Sequence, residues 1–192
     1  MENEFTSYLN GLSIFSEEEK QFLAENIKVF SFKKGDLLIR EGEIATRCYF
    51  VLKGCVRQYK LIDGEEKTTA FFLEQQAVVS FTSYVQRIPS NHNYICAEDC
   101  SLIAGTPDTE AEMYRKFPKL EAFTRSLMSE DFGKTQEAYS TFISSSPEER
   151  YRNLLKTQPE LLQRVPQHQI AGYLGMTPES LSRIRKRIAS EG

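Results

Sequence analysis

Glu179, Ser182 and Arg183 bring a carboxylate, a hydroxyl and a guanidinium together inside QHQIAGYLGMTPESLSRIRK, residues 167–186. If the chain is helical from Pro178 onward, Glu179 and Arg183 lie one turn apart on the same face, with Ser182 beside them. Such a face can read base edges in a major groove: a guanidinium donates two bonds to guanine O6 and N7, and a carboxylate accepts from the cytosine amino group. Thr177, Ser180, Lys186 and Arg187 are of the type that meets phosphate oxygens, which position a protein on a duplex without specifying sequence. The same spacing would also serve a plain i,i+4 ion pair on a solvated basic helix, so the surrounding elements decide between the two readings.

Those surroundings meet the requirements of a helix-turn-helix. A small residue is needed where two helices cross, a glycine able to take positive φ in the turn, and apolar side chains on the shared inner face. Ala171 is the small residue and Gly175 follows four later, while Ile170, Leu174, Met176, Leu181 and Ile184 fall on the inner face. Thr177 can cap the second helix, with Pro178 at its first position. An ordinary helical hairpin would not need all of these at once.

The chain has 192 residues and a net charge of −3, unevenly spread. Residues 147–192 hold eight Lys/Arg against five Asp/Glu, and residues 1–146 hold 16 against 22. A local basic end is enough for phosphate contact even when the whole chain is acidic. No apolar run approaches the roughly 18 residues of a membrane span. The start, MENEFTSYLN, lacks the basic-then-apolar layout of a signal peptide, so a cytoplasmic protein with no membrane partner is expected. Cys48, Cys55, Cys96 and Cys100 form no C-x-x-C pair and read as reduced thiols. His92 and His168 sit in no metal or triad pattern, no nucleophile–base set emerges, and no glycine-rich loop precedes a helix; neither enzyme chemistry nor a metal site is expected.

Around this end the texture changes twice. Ser16 with Glu19 has capping-box spacing and opens a short helix with Phe22, Leu23 and Ile27 at helical intervals. From 29 to 103, short β-branched and aromatic runs, including AVVSF and NYICAEDCSLIAGT, alternate with glycines about every 10 residues, which predicts a compact antiparallel sandwich or roll. Asp63-Gly64 reads as a hairpin turn. Thr106-Pro107 starts a helix and Pro118 divides it from a longer one over 119–143. That longer helix carries two apolar seams, Leu120, Phe123, Leu127 and then Met128, Phe132, Thr135, Tyr139, Phe142. One seam could meet a second subunit; alternatively both are buried within one. The run ISSSPEER breaks the helix, and Ser146 with Glu149 caps a satellite of three helices. The domains expected are thus 1–118, 119–146 as long helix and hinge, and 147–192.

A glycine-punctuated β-domain, a long helix and the C-terminal IAGYLGMTPESLSRIRK together resemble the Crp/Fnr family of bacterial transcription regulators, and SPEERYRNLLKTQPELLQRVPQHQIA is similar to the version common in the Bacteroidetes. The resemblance implies an α+β fold: an N-terminal antiparallel β-roll of cyclic-nucleotide-binding type, a long helix that pairs two subunits, and a C-terminal winged-helix-like helix-turn-helix. It implies double-stranded DNA as partner, base contacts from a Glu-x-x-Ser-Arg pattern that falls on Glu179, Ser182 and Arg183, and a homodimer on half-sites about 34 Å apart. It also leaves room for RNA polymerase and a small-molecule effector as partners. Members that bind cyclic AMP use a Gly-Glu pair for the sugar and an Arg for the phosphate. Val79 and Ser80 stand where Gly-Glu would be and Asn91 where the Arg would be, so cyclic AMP is not expected to bind in the family's manner; Arg87 is the nearby cation that could compensate. The first 47 residues hold no cysteine for an Fnr-like cluster, and only ASEG follows Ile188, so the wing is expected to be truncated or absent. The effector and any cofactor stay unidentified. The competing reading is a ligand-binding β-roll whose helical tail docks on a protein.

Overall fold

Two-residue turns and glycine kinks set the shape of the β-domain in the computed structural model, which describes residues 3–190. The strands are β1 (Val29–Phe32), β2 (Leu37–Ile39), β3 (Cys48–Lys53), β4 (Val56–Ile62), β5 (Glu65–Phe72), β6 (Ala77–Val78), β7 (Asn93–Cys96) and β8 (Cys100–Gly105). They form two four-stranded sheets, β1-β8-β3-β6 and β2-β7-β4-β5. β8 is central to the first sheet, pairing antiparallel with β1 (Phe30 opposite Leu102) and with β3 (Phe50 opposite Ile103). Asp63 (φ 54°) and Gly64 (φ 81°) both take positive φ, the backbone of a type I′ hairpin turn. Gly54 is required by space as well as by conformation: at φ 106° a Cβ there would lie 2.6 Å from Cys100 Sγ. Ile39, Tyr49, Val51, Val56, Val78, Tyr94, Cys96, Cys100 and Leu102 make the core between the sheets. All four cysteines are free thiols, three of them buried.

The helices around the roll are α1 (Glu4–Asn10), α2 (Glu17–Asn26), α3 (Phe81–Gln86) and α4 (Pro107–Lys116). Ser16 and Thr106 cap α2 and α4 with reciprocal bonds, as their spacing implies. Phe117, at the end of α4, meets Phe15 and Phe22 with ring centroids 5.7 and 5.8 Å apart. Two elements depart from the sequence reading. α1 is held by the Asn3 cap and by burial of only Phe5 and Leu9, too short a pattern to stand out. The run AVVSF is strand only over Ala77–Val78; the chain then turns helical, and the buried Ser83 of α3 accepts from the Ala45 amide at 2.8 Å.

α5 (Pro118–Ser144) runs for 27 residues and is followed by α6 (Pro147–Thr157), α7 (Leu161–Arg164), α8 (Gln167–Tyr173) and α9 (Pro178–Ala189). The satellite therefore has four helices among the described residues, α7 being a single turn behind Pro159 that carries the buried Leu161. The chain groups into two compact units, residues 1–58 with 71–118, and residues 59–70 with 119–192. The long helix thus belongs with the C-terminal helices, and so does the tip of the β4–β5 hairpin. No residue of α5 is buried. Leu120, Phe123, Leu127 and Met128 are half-buried, while Phe132 and Tyr139 of the second seam are 64% and 68% exposed. No helix among the described residues is long and apolar enough to cross a membrane.

Candidate nucleic-acid interface

The interface is built from the inside out. Ile170 and Ala171 on α8 and Leu181 and Ile184 on α9 are buried, with Leu174 between the helices and Tyr151, Leu154, Leu161 and Val165 completing the core. Met176, expected in the same core, is half-buried. Gly175 takes φ 66°, and the turn closes with the Gly175 amide donating to Gly172 O at 3.0 Å and the Met176 amide to Ala171 O at 2.9 Å. Thr177 is the N-cap: its hydroxyl accepts from the Ser180 amide at 3.3 Å, satisfying one of the free donors at the start of α9. The sequence reading missed one further neighbour. Thr68, buried at the hairpin tip, places its amide nitrogen 3.6 Å from where a Cβ on Gly172 would stand.

Leu181, Ile184 and Ile188 occupy the inner side of α9, so helical periodicity turns Glu179, Ser182, Arg183 and Lys186 outward, and all four are exposed. Glu179 lies in the first turn and Lys186 and Arg187 in the last, the signs that the helix dipole favours. The Glu179 carboxyl is held below its ordinary value, first by the backbone amide, then by Thr177, with the Arg183 charge adding to both. Arg183 does not close onto Glu179; its Nη2 donates to Ser180 Oγ at 3.2 Å, leaving most of the guanidinium outward, while the Glu179 carboxylate also turns back on its own amide and Thr177. Ser180 is half-buried between these partners. Arg187 differs from the others because Glu148 on α6 engages its Nη2 while also holding Arg152 at 2.9 Å. A phosphate would have to compete with that carboxylate.

At the β-roll the residues expected around an effector do not converge. Val79 is half-buried, its carbonyl receiving the Tyr94 hydroxyl at 3.4 Å. Ser80, buried ahead of α3, shares a hydrogen bond with Ser90 at 3.0 Å. Arg87 ends α3 in the left-handed conformation (φ 57°), and both it and Asn91 are exposed. Ser90 donates to His92 O at 2.8 Å, Gln58 donates to the Tyr94 hydroxyl at 2.8 Å, and the Phe72 ring lies 6.0 Å from that of Tyr94. Behind α3, Glu110 accepts from Cys48 Sγ at 2.5 Å and from Tyr84 at 2.9 Å. Burial, then this carboxylate, pushes the Cys48 thiol up to about 12. A cavity of about 240 Å³ does open on the roll, but Arg40, Thr46, Arg47 and Tyr49 line it, and none of the four expected residues does. No group of His, Cys, Asp and Glu able to hold a metal occurs among the described residues.

A family model described as the cyclic nucleotide-binding domain matches residues 29–116. The anaerobic regulatory protein of Haemophilus influenzae is 25% identical over 173 residues, an alignment covering 83% of this chain and 66% of that protein's length. Among solved structures, FixK2 from Bradyrhizobium japonicum is similar with a TM-score of 0.70 at 19% identity over 86% of each chain. The CLP regulator of Xanthomonas campestris has a TM-score of 0.67 at 17% identity, over 90% of this chain and 91% of its own. Over most of its length the chain is similar to regulators of the Crp/Fnr type. Its roll matches the cyclic nucleotide-binding domain, and the order of β-roll followed by helices is the α+β fold expected. Between Val79 and Tyr94, the hydroxyls of Ser80, Ser90 and Tyr94 find their partners within the same stretch. The expectation about a Crp/Fnr wing rests on the end of the chain, of which Glu191 and Gly192 lie outside the described residues.

Proposed function

We propose that the chain is a sequence-specific DNA-binding transcription regulator acting as a homodimer, with α9 seated in the major groove. The observation that carries this is the outward face of α9, where Glu179, Ser182 and Arg183 stand opposite the buried Leu181 and Ile184. Arg183 reads a guanine and Glu179 the amino group of a cytosine, while Thr177, Ser180 and Lys186 hold phosphates. Arg187 joins them where a phosphate displaces Glu148. Dimerisation runs through α5, on whose second seam Phe132 and Tyr139 remain exposed; large aromatic side chains so placed lose water contact only by meeting another chain.

The sensor works without cyclic AMP bound in the family's manner, because neither a sugar-holding Gly-Glu pair nor an inward-facing cation is available between Val79 and Asn91. A different signal at the β-roll changes the pairing of the α5 helices and, through the hinge at residues 144–146, the match of two α9 helices to their half-sites. Selection from a randomised duplex library tests the reading. A two-fold symmetric motif with half-sites about one turn apart supports it; no enrichment at any ionic strength, with or without cell extract, rejects it in favour of a protein-docking tail. Micromolar cyclic-AMP binding by calorimetry, abolished by Arg87→Ala, would overturn the sensor reading alone.

A further inference from the structure

Arg150 is a cation near the start of α6, behind Glu148 and Glu149, at the end of a helix where the dipole disfavours positive charge. Its side chain reaches instead to two other helix ends. Nε donates to Phe142 O at 3.0 Å and to Ser145 O at 3.2 Å. Nη1 donates to Leu174 O at 3.0 Å. The first two acceptors lie at the C-terminal end of α5 and in the hinge; the third is the C-cap of α8, within the helix-turn-helix turn. These are carbonyls that lack helical donors and sit at negative dipole ends, so one guanidinium answers both needs.

The packing around the group is equally specific. The guanidinium carbon lies 3.9 Å over the Phe142 ring. A Cβ on Gly175 would meet Arg150 Nη1 and Phe142 Cζ, each at 3.1 Å. Gly175 is therefore needed twice, for its positive φ and for the close approach of this stacked pair. Phe142, which the apolar pattern of α5 had placed on the second seam, faces the helix-turn-helix turn.

We propose that Arg150 is a positioning residue that fixes the angle between α5 and the recognition helix, and so sets which half-site spacing the dimer accepts. This rests on the DNA-reading function proposed above. In a dimer joined along α5, any play at this clamp moves the two α9 helices relative to one another while leaving each able to read its own half-site. Lysine cannot substitute, since a point charge on a flexible stem neither forks to three carbonyls nor stacks on Phe142.

The test compares wild type, Arg150→Lys and Phe142→Leu, each checked for native helicity by circular dichroism. Binding is measured on one half-site and on palindromes whose spacing is native, shortened or lengthened by one base pair. For Arg150→Lys, half-site affinity within about twofold of wild type is expected, with about a tenfold loss on the native palindrome and a flattened preference for native spacing; Phe142→Leu should show a weaker form of the same pattern. Equal losses on half-site and palindrome, or an unchanged spacing profile, overturn the proposal. Distance distributions between spin labels placed at Glu137 and Arg185, by a chemistry that spares thiols, are read without DNA. Broadening in Arg150→Lys is expected, and an unchanged width overturns the clamp. Should wild type select no DNA motif, DNA reading fails while the spin-label result still decides the clamp.

Discussion

The α3 region of the β-roll and the α9 helix use polar side chains in opposite directions. Ser80, Ser83, Ser90, Asn93 and Tyr94 are buried and find partners among themselves and nearby backbone. Glu179, Ser182, Arg183 and Lys186 are exposed. A buried polar group must be satisfied within the fold, and once satisfied it resists release, because breaking its bond leaves a desolvated group unpaired. An exposed cation gives up mainly water, and in the case of Arg183 one bond to Ser180, before it meets a phosphate or a base edge. The contrast teaches that chemistry-bearing residues in a ligand-binding fold do not by themselves make a ligand site; the direction of their bonds does.

At the roll, Cys48 should react with iodoacetamide at pH 8 at least about a hundredfold more slowly in the native protein than when unfolded, since the thiolate is the reacting form and its pKa lies near 12 against an ordinary 9.0. Glu110→Gln should restore part of the rate. The sign for stability follows: the native thiol keeps its proton while the unfolded one loses it, so stability falls as pH rises from 9 towards 12. Comparable alkylation rates in both states would show that the group is not turned inward.

On the helical side, Leu181→Ala should cost about 2–5 kcal/mol in chemical denaturation, because it empties a site that is only 1% exposed. Arg183→Ala should leave the melting temperature unchanged and cost about 1–3 kcal/mol of binding at selected sites, flattening discrimination at one guanine. Equal losses on random duplexes would reduce the outward face to a phosphate-binding surface. Lys186→Ala should weaken all duplexes alike and lower the slope of log affinity against log salt by about 1; a loss confined to one sequence would move it among the base readers.

Much of the fold was legible because its signals are local. The caps at Ser16, Thr106 and Ser146, the Asp63-Gly64 turn, and the spacing of Ala171, Gly175 and Leu181 each depend on residues within one or a few turns of one another. α1 and α3 were not legible: the first has only two buried side chains, and the one buried side chain of the second, Ser83, meets a partner 38 residues away. The outward face of α9 was readable from helical period alone, whereas the capture of Arg187 by Glu148 was not, since those residues lie 39 apart on different helices. Arg150 carried no signal beyond its charge; its acceptor at Leu174 is 24 residues on.

The chain's own order of residues therefore determined most element types, the helix-turn-helix, the basic end and the side of α9 that faces outward, because propensity, capping and periodicity act over about one helical turn. Tertiary structure alone decided which polar groups turn on one another in the roll, which cation of α9 is already engaged, and how one arginine joins the end of α5 to the turn before α9. Those outcomes depend on distances between residues far apart in the chain, which only packing brings within hydrogen-bond reach.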